Sequence, residues 1–466
     1  MTPGARQQAA IELLTAIFAT AKRPADAVAS DWLRARRFIG ASDRRAILNR
    51  VWGSLRVRAQ LGWWLARAGL GEETPRGLVL LDALLRDHWP LHAIEEAFDG
   101  GHHRPDRLSE TERRAVKRLA GERLDHAEQL DAVRLNIPAW IEADLRRAFG
   151  PAFERELAAM DEPATVDLRV NLLRTDRADA IRALAEEKIT ARETPLSPIG
   201  LRLDARLSVV AGPAFKSGLI EIQDEGSQLV AQLVGARPGL QVLDWCAGAG
   251  GKTLAMAAGM DNRGRIVACD VSAGRLERSA LRLRRAGAHN VERRVLDAEG
   301  RRWAKRNAAK FDRVLVDAPC SGTGTWRRNP DGRWTLSPQD IAELRPKQAE
   351  ILAAAARLVA PEGRLLYVTC SLLPVENEAQ IEAFLAAHPD FSLLEARALW
   401  RAELGTEPPQ DALAGPYLRL TPARHGTDGF FLAAMERKRA VKSSPEGGRT
   451  PRKRGAGAVG KRATGE

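Results

Sequence analysis

Apolar positions in the first 130 residues recur with the period of a helix. Leu13 and Leu14 precede the next apolar residue of the pattern, Ile17, by four and three positions, and this spacing is typical of an amphipathic helix. We interpret the tryptophans on the same pattern as core residues of a small bundle: Trp52, Trp63 and Trp64. The pattern therefore predicts a helical domain over residues 1–130.

A different pattern begins near residue 131, where Pro138 interrupts the helical periodicity. A strand candidate at 166–170 is followed by a helix candidate at 177–188. The size and mixture of these elements predict a small α+β module over residues 131–214.

From residue 215 to residue 436, apolar runs alternate with helical stretches, which is typical of a parallel sheet covered by helices on both faces. Four runs are readable as strands: 241–243, 265–268, 313–316 and 364–368. Because ligands bind at the carboxyl ends of parallel strands, the polar residues that follow these runs should meet in one crevice. This region is therefore predicted to be an α/β catalytic domain.

The charge suggests a polyanionic partner. The chain has 466 residues, a net charge of +12 and a pI near 10.0. Residues 437–466 hold ten Lys or Arg against two Glu, and we predict that they form a disordered basic tail. Residues 31–60 hold eight Arg against two Asp. One such stretch alone is most simply a solvated helix face, but two of them beside the catalytic core favour nucleic acid.

Other classes of protein are disfavoured. No run of about eighteen apolar residues and no signal peptide is present, so a cytoplasmic protein without a membrane span is predicted. The four cysteines lie within one 125-residue region without a C-x-x-C pair, which indicates neither disulfides nor a metal site. Cys246 and Cys269 are most simply small buried apolar residues.

A glycine-rich loop, residues 246–253, follows the first strand. A phosphate loop of the Walker A type needs a glycine where Cys246 stands, and a dinucleotide loop needs one where Thr253 stands. Asp270 ends the second strand, where a carboxylate accepts ribose hydroxyls. This favours S-adenosylmethionine or NAD over ATP, although a nucleotide hydrolase stays open. Asp297 is either an adenine contact or a helix N-cap.

Cys320 and Cys370 suggest a covalent mechanism. Carbon 5 of cytosine is a poor nucleophile, so an enzyme that methylates it first adds a thiolate to carbon 6. That reaction needs an activated cysteine, an acid near ring nitrogen 3 and a methyl donor in contact. Asp317 and Cys320 follow one strand, and Cys370 follows a strand that should lie beside it.

These motifs, Asp-Ala-Pro-Cys-Ser-Gly at 317–322 and Thr-Cys-Ser at 369–371, resemble the bacterial RsmB and eukaryotic Nop/Sun RNA cytosine-5 methyltransferases over about residues 135–435. The resemblance implies Cys370 as nucleophile, Cys320 as the thiol that assists breakdown of the adduct, and Asp317 and Lys252 at the active site. It implies S-adenosylmethionine as cofactor, bound by the following residues: Cys246, Ala247, Gly248, Ala249, Gly250, Gly251, Lys252, Asp270, Asp297 and Asp317. DNA methylases lack the Thr-Cys-Ser cysteine, which favours RNA.

The resemblance has two departures. The family loop reads Cys-Ala-Ala-Pro-Gly-Gly-Lys-Thr, whereas this chain has Gly248 and Ala249 in the middle. The backbone donors are unchanged, so we expect cofactor binding to survive. Residues 1–130 resemble the NusB-like RNA-binding domain more loosely. Residues 326–331 resemble a family loop near the substrate, although their arginines could instead be solvated.

The combined prediction is a Rossmann-like, S-adenosylmethionine-dependent methyltransferase domain of the α/β class, preceded by an all-α NusB-like domain and a small α+β module. We expect a monomer that acts on RNA, foremost on small-subunit ribosomal RNA. The alternatives are a transfer RNA methyltransferase and an RNA-binding ribosome assembly factor that has lost catalysis.

Overall fold

The amino-terminal part of the chain is helical, as the periodicity predicts. The structure, a computed structural model, describes residues 1–20, 23–205 and 207–439 together with Gly465. Trp64 is buried, and Trp52 and Trp63 pack against the same apolar core. The helices are α1 (Pro3–Ala19), α2 (Ala25–Ala35), α3 (Ala41–Arg56), α4 (Arg58–Arg67), α5 (Pro75–Leu81), α6 (Leu91–Ala97) and α7 (Glu110–Leu119), and a π-helical turn (Asp82–Arg86) follows α5.

Three further helices connect this part to the rest of the chain. They are α8 (Asp131–Arg134), α9 (Glu142–Phe149) and α10 (Phe153–Asp161). Their apolar faces share one buried cluster with Trp326 and Leu372 of the carboxyl-terminal domain. The connecting helices therefore pack directly on the domain that carries the cysteines.

A small antiparallel sheet follows, in the strand order β2-β3-β1-β4. Its elements are β1 (Asp167–Val170), α11 (Arg177–Glu186), β2 (Ala191–Glu193), β3 (Gly200–Leu203), α12 (Pro213–Lys216) and β4 (Ile220–Ile222). The strand predicted at 166–170 and the helix predicted at 177–188 are both present. β4 pairs with β1, so the small sheet includes residues beyond 214. The domain boundary at residue 214 stays a prediction.

The carboxyl-terminal domain contains a mixed sheet in the order β11-β12-β13-β9-β8-β5-β6-β7, with β10 also paired to β13. The strands are β5 (Gln241–Asp244), β6 (Arg265–Asp270), β7 (Val291–Val295), β8 (Phe311–Asp317), β9 (Val359–Thr369), β10 (Phe391–Leu394), β11 (Leu413–Ala414), β12 (Tyr417–Leu420) and β13 (Phe430–Arg437). The four strands predicted from apolar runs are β5, β6, β8 and β9.

Helices cover both faces of this sheet. They are α13 (Glu225–Leu233), α14 (Gly251–Gly259), α15 (Ala273–Ala286), α16 (Ala298–Arg306), α17 (Gly332–Thr335), α18 (Pro338–Ala356), α19 (Glu378–Ala387), α20 (Ala396–Leu404) and α21 (Pro422–His425). One buried apolar cluster lies on each face. β5 is parallel to both β6 and β8, so the chain order reverses at this strand and opens a crevice at its carboxyl end.

Residues 326–334, which follow the Cys320 loop, connect the helical part to the catalytic domain. Arg333 is buried and donates to Asp161 Oδ1 (2.5 Å) and to the Asn136 carbonyl (3.0 Å). The Trp334 indole donates to the Leu55 carbonyl (2.7 Å). Arg327 is not solvated, since it is buried and donates to the Gly426 carbonyl (3.1 Å), whereas Arg328 is half-buried and pairs with Asp224 (2.9 Å).

Two further sequence predictions concern the basic tail and membrane-spanning helices. Most of the basic tail predicted at 437–466 lies outside the described residues from position 440 onward, apart from Gly465. In the part of the chain that is described, no helix combines the length and the apolar character needed to cross a bilayer.

We predict that Arg333→Ala destabilises the protein by about 3–5 kcal/mol, because it removes a buried cation that donates to the Asp161 carboxylate and to the Asn136 and Met160 carbonyls. Urea unfolding followed by tryptophan fluorescence measures the change. Arg401→Ala is the control, since Arg401 pairs with Glu407 on the surface, and it should leave the unfolding midpoint close to that of the parent protein. Equal midpoints for both variants would contradict the structural role assigned to Arg333.

Candidate active site

The two predicted reactive cysteines meet at the edge of the sheet. Asp317 ends β8 and is in register with Val368 of β9, so the loops that follow these parallel strands lie side by side. The Sγ atoms of Cys320 and Cys370 are 3.5 Å apart, and both side chains are half-buried. The hydrogen bond with Cys370, burial and the charge of Cys370 raise the pKa of Cys320 well above its usual range. Cys320 is therefore held as a neutral thiol.

The carboxylate of Glu376 joins the two cysteine loops. It accepts from Ser321 N (2.9 Å) and Ser321 Oγ (2.5 Å) on one loop and from Ser371 Oγ (2.5 Å) on the other. Gln348 Nε2 donates to it as well (2.9 Å). Glu376 is fully buried, and a buried carboxylate is tolerated when such donors surround it.

Gly324 allows a close approach between the same loops. Its N–H donates to the Cys370 carbonyl (2.8 Å), and its own carbonyl accepts from Gly429 N (2.8 Å). A Cβ at position 324 would lie 2.4 Å from the Gly429 oxygen and 2.8 Å from the Cys370 oxygen. Only glycine leaves room for this contact, which places the Cys370 backbone against the loop of Cys320.

Lys252 reaches this edge from the start of α14. Its ammonium group donates to Asp317 Oδ2 (2.7 Å) and lies 5.5 Å from the centre of the Phe430 ring. Burial acts to lower the pKa of Lys252, but the charge and hydrogen bond of Asp317 outweigh it, assisted by Cys370 and Asp244. The pKa therefore lies above its usual range, and a cation stands beside the cysteines.

The glycine-rich loop is tied to its neighbouring strand by its backbone. Ala247 N donates to the Cys269 carbonyl (2.8 Å), and Gly248 N donates to Asp270 Oδ2 (2.9 Å). Gly250, in a left-handed conformation with φ of 81°, turns the chain into α14. The loop thus places small residues and a helix start beside Asp270, an arrangement that lets a nucleoside approach the backbone.

Asp244 lies beneath this loop at the end of β5. Its Oδ2 accepts from Thr253 Oγ1 (2.7 Å), whereas Oδ1 is buried without a hydrogen-bond partner among the described residues. Burial, reinforced by the charge of Asp317, raises the pKa of Asp244 to about 7. This oxygen is the one buried acceptor of the loop region that is free to meet a donor or cation.

Asp297 and the remaining cysteines occupy simpler environments. Asp297 is exposed and caps α16, with Oδ1 accepting from Gly300 N (2.9 Å), which matches the N-cap interpretation. Cys269 is buried in the core, and Cys246 packs partly against the same cluster. Burial raises the pKa of both thiols far above the usual range, so neither is a reactive thiolate.

The structure adds residues that the sequence analysis did not identify. Glu376 and Gln348 hold the cysteine loops, and Arg169 of β1 donates to the Gly251 carbonyl at the start of α14 (2.6 Å). Arg282 donates to the Ala249 carbonyl (2.8 Å). The only sign of Glu376 in the sequence is that an acidic residue follows Cys370 by six positions. No local sequence pattern indicates the contacts of Arg169 and Arg282.

The chain is similar to known proteins. A model of the 16S rRNA methyltransferase RsmB/F family matches residues 231–436, and a model of the RsmF/B-like ferredoxin-like domain matches residues 137–210. Ribosomal RNA small subunit methyltransferase B of Sodalis glossinidius is 34% identical over 415 residues, which cover 85% of this chain and 90% of that protein.

Two crystal structures resemble the fold. The structure of PH0851 gives a TM-score of 0.74 at 25% identity and covers 94% of this chain and 99% of its own. A methyltransferase homologue from Pyrococcus horikoshii gives a TM-score of 0.55 at 30% identity over 66% of this chain and 97% of its own. The predicted resemblance and the predicted Rossmann-like methyltransferase domain are thereby confirmed.

We predict that Asp244→Asn changes how stability depends on pH. Because the folded pKa of about 7 exceeds the unfolded value near 3.8, the folded state binds the extra proton and wild-type stability falls as pH rises from about 4 to 7. The asparagine keeps an acceptor for Thr253 without the charge. As the pH rises from 5 to 8, the free energy of unfolding of the variant should increase by about 2–3 kcal/mol relative to that of wild type.

Urea unfolding at the two pH values measures this difference. Asp261→Asn is the control, because Asp261 is exposed, and its curve should stay parallel to that of wild type. Parallel curves for Asp244→Asn as well would show that Asp244 is ionised throughout this range.

Proposed function

We propose that this chain, which belongs to the 16S rRNA methyltransferase RsmB/F family, methylates carbon 5 of a cytosine in small-subunit ribosomal RNA. The observation that carries the proposal is the 3.5 Å approach of Cys320 Sγ to Cys370 Sγ beside the Lys252–Asp317 ion pair. Relatives named for the small-subunit RNA support the substrate. Transfer RNA is the alternative substrate.

Cys370 is the proposed nucleophile. A bond forms between its Sγ and carbon 6 of the cytosine, and the electrons of the 5,6 double bond become available at carbon 5. After carbon 5 has gained the methyl group, a base removes its proton, the double bond forms again and the Cys370 thiolate leaves. The methyl group would come from the sulfonium of the donor, which is left as a thioether, and the proton of carbon 5 passes to a general base, so no redox partner is needed.

The environment of the two sulfurs supports this division of roles. Cys320 is held as a thiol, because its hydrogen bond with Cys370 and its burial raise its pKa. The raised pKa of Lys252 reflects Asp317 first and the charge of Cys370 after it. Cys320 can then donate its proton to the sulfur of Cys370 as that sulfur leaves the adduct, because the two sulfurs are 3.5 Å apart.

The Lys252–Asp317 pair is proposed to face the base. A cytosine that accepts a thiolate at carbon 6 gathers negative charge at ring nitrogen 3, and an acidic group there lowers the barrier. The pair lies at the end of β8, three residues before Cys320. It therefore stands where one edge of the base would lie during attack by Cys370.

The residues present fit S-adenosylmethionine, which supplies an electrophilic methyl group when bound. Asp270 ends β6 with a carboxylate suited to ribose hydroxyls. The backbone of residues 246–251 would lie against the nucleoside, and the unpartnered Asp244 Oδ1 suits a cationic group. Gly248 and Ala249 are small, so the loop backbone stays open to a close approach of the nucleoside.

The other parts of the chain are proposed to hold the RNA. We propose that the helical domain (residues 1–130) is NusB-like and that the small α+β module (131–214) also contacts the substrate. The enzyme would act as a monomer in the cytoplasm without a metal. The intact cysteine pair, ion pair and loop favour an active enzyme over an assembly factor that has lost catalysis, and family membership favours it over a nucleotide hydrolase.

We predict that Cys370→Ala abolishes methyl transfer, because the change removes the proposed nucleophile. Cys320→Ala should instead accumulate a covalent protein–RNA adduct, since breakdown loses its thiol. Transfer of labelled methyl to RNA from cells lacking this gene measures the first effect, and a denaturing gel measures the second.

Cys269→Ala is the matched control, because Cys269 is buried in the core, and it should retain methylation. Label in 5-methylcytosine with the Cys370→Ala protein would disprove the assigned nucleophile. If wild type itself transfers no label while it binds S-adenosylmethionine, the chain is better explained as an assembly factor.

We predict that Asp270→Ala weakens S-adenosylmethionine binding by about 10- to 100-fold, the loss expected for charge-assisted hydrogen bonds. Isothermal titration calorimetry without RNA measures the dissociation constant. Asp261→Ala, at an exposed turn beyond the end of α14, should leave the constant close to that of wild type. An unchanged constant for Asp270→Ala would mean that the ribose lies elsewhere.

A further inference from the structure

A cavity of about 1040 Å³ lies in the helical domain, away from the cysteines. It is lined by α1, α3, the residues that follow α5, and residues 161–163. Five arginines contribute to its wall: Arg6, Arg45, Arg50, Arg56 and Arg86. A cavity with this density of cations is suited to an anionic ligand.

Acidic side chains already pair with three of these arginines: Arg6 with Asp43 (2.8 Å), and Arg50 (2.5 Å) and Arg86 (2.6 Å) with Asp82. Asp87 pairs with Arg50 (2.8 Å), and Asp161 is committed to Arg333 of the catalytic domain (2.5 Å). Arg45 differs, since it is exposed and forms no ion pair with any residue that the structure describes. Its guanidinium is therefore available to a ligand.

Two buried polar atoms in the wall also have no partner. Gln7 is 4% exposed, and its Oε1 accepts no hydrogen bond within the described ranges. Arg50 is 6% exposed, and its Nε donates none there. Leaving such groups unpaired is costly, so an acceptor and a donor in one wall indicate a ligand that carries both kinds of group.

Two half-buried tryptophans complete the wall. Trp52 lies on α3, and Trp89 lies under the guanidinium of Arg50, 5.4 Å from the ring centre. Indole faces stack on nucleobases of any sequence, and arginines beside them bind the phosphates. The combination is typical of a site for unpaired nucleotides.

The cavity wall is hydrogen-bonded to the catalytic domain at a residue that follows Cys320 closely in the sequence. Arg56 donates to the Arg327 carbonyl (2.7 Å), and Arg327 stands seven positions after Cys320. The helical domain and the catalytic domain are therefore held together at this contact, so one RNA molecule could contact both the cavity and the cysteines.

We propose that this cavity binds unpaired nucleotides of the substrate RNA, with a phosphate at Arg45 and a base against Trp52 or Trp89. The proposal rests on the proposed function in one respect, the identification of the polyanion as RNA. The cavity then acts as a second contact that selects RNA with a flexible segment next to the target cytosine.

Arg45→Glu tests the proposal, because Arg45 is exposed and unpaired and its replacement should not disturb folding. Fluorescence anisotropy with a labelled, short single-stranded RNA of mixed sequence, without cofactor, gives the dissociation constant. We expect it to rise about tenfold and its salt dependence to fall by about 0.7 in logarithmic slope for each lost phosphate contact. Ultraviolet crosslinks should map to peptides containing Trp52 or Trp89.

Lys117→Glu is the matched control, since Lys117 is an exposed cation of the same domain outside the cavity. Its dissociation constant should stay near that of wild type. Equal losses for both variants, or no loss for Arg45→Glu, would overturn the proposal. Displacement of the RNA by low concentrations of cytidine monophosphate would also overturn it, because the site would then be one for free nucleotides.

These measurements are independent of catalysis. With saturating RNA, Arg45→Glu should retain the wild-type kcat for methyl transfer and show a raised KM. If wild type transfers no methyl group, the proposed function fails, whereas the anisotropy comparison still decides whether the cavity binds RNA.

Discussion

The buried carboxylate of Glu376 holds the two cysteine loops together. The parallel pairing of β8 and β9 brings these loops to one edge of the sheet, but pairing alone does not set the distance between side chains. Donors from Ser321, Ser371 and Gln348 converge on the carboxylate. Since a buried carboxylate that loses its donors is strongly disfavoured, neither loop can shift alone, and the two sulfurs stay within contact distance.

Polar contacts also set the position of the helical domain. The Trp334 indole donates to the Leu55 carbonyl, Arg56 donates to the Arg327 carbonyl, and Asp331 accepts from Ala25 N. Hydrogen bonds are directional, so these contacts define an orientation that apolar packing alone would leave loose. They fall in residues 326–334, directly after the Cys320 loop. The proposed RNA-binding domain and the proposed catalytic thiols are therefore connected through one short segment.

Lys252 lies among the carboxylates at the carboxyl ends of β5, β6 and β8. Asp244, Asp270 and Asp317 end three neighbouring strands, and Lys252 is the cation that approaches them from α14. Lys252 donates a hydrogen bond to Asp317, whereas Asp244 lies deeper and has a raised pKa. Backbone N–H groups satisfy Asp270. Each carboxylate thus has a different environment, although all three occupy equivalent positions in the sequence pattern.

The sequence by itself determined the parallel strands, the loop at 246–253 and the acids and cysteines at strand ends, because these depend on local periodicity and on the shared direction of parallel strands. It left open whether Asp297 caps a helix and whether Arg327 is solvated. Only the tertiary structure decided these points and revealed Glu376, Arg169 and the arginine-lined cavity. Their contacts join residues far apart in the chain, as Arg169 joins Gly251, and packing between separate elements determines such contacts.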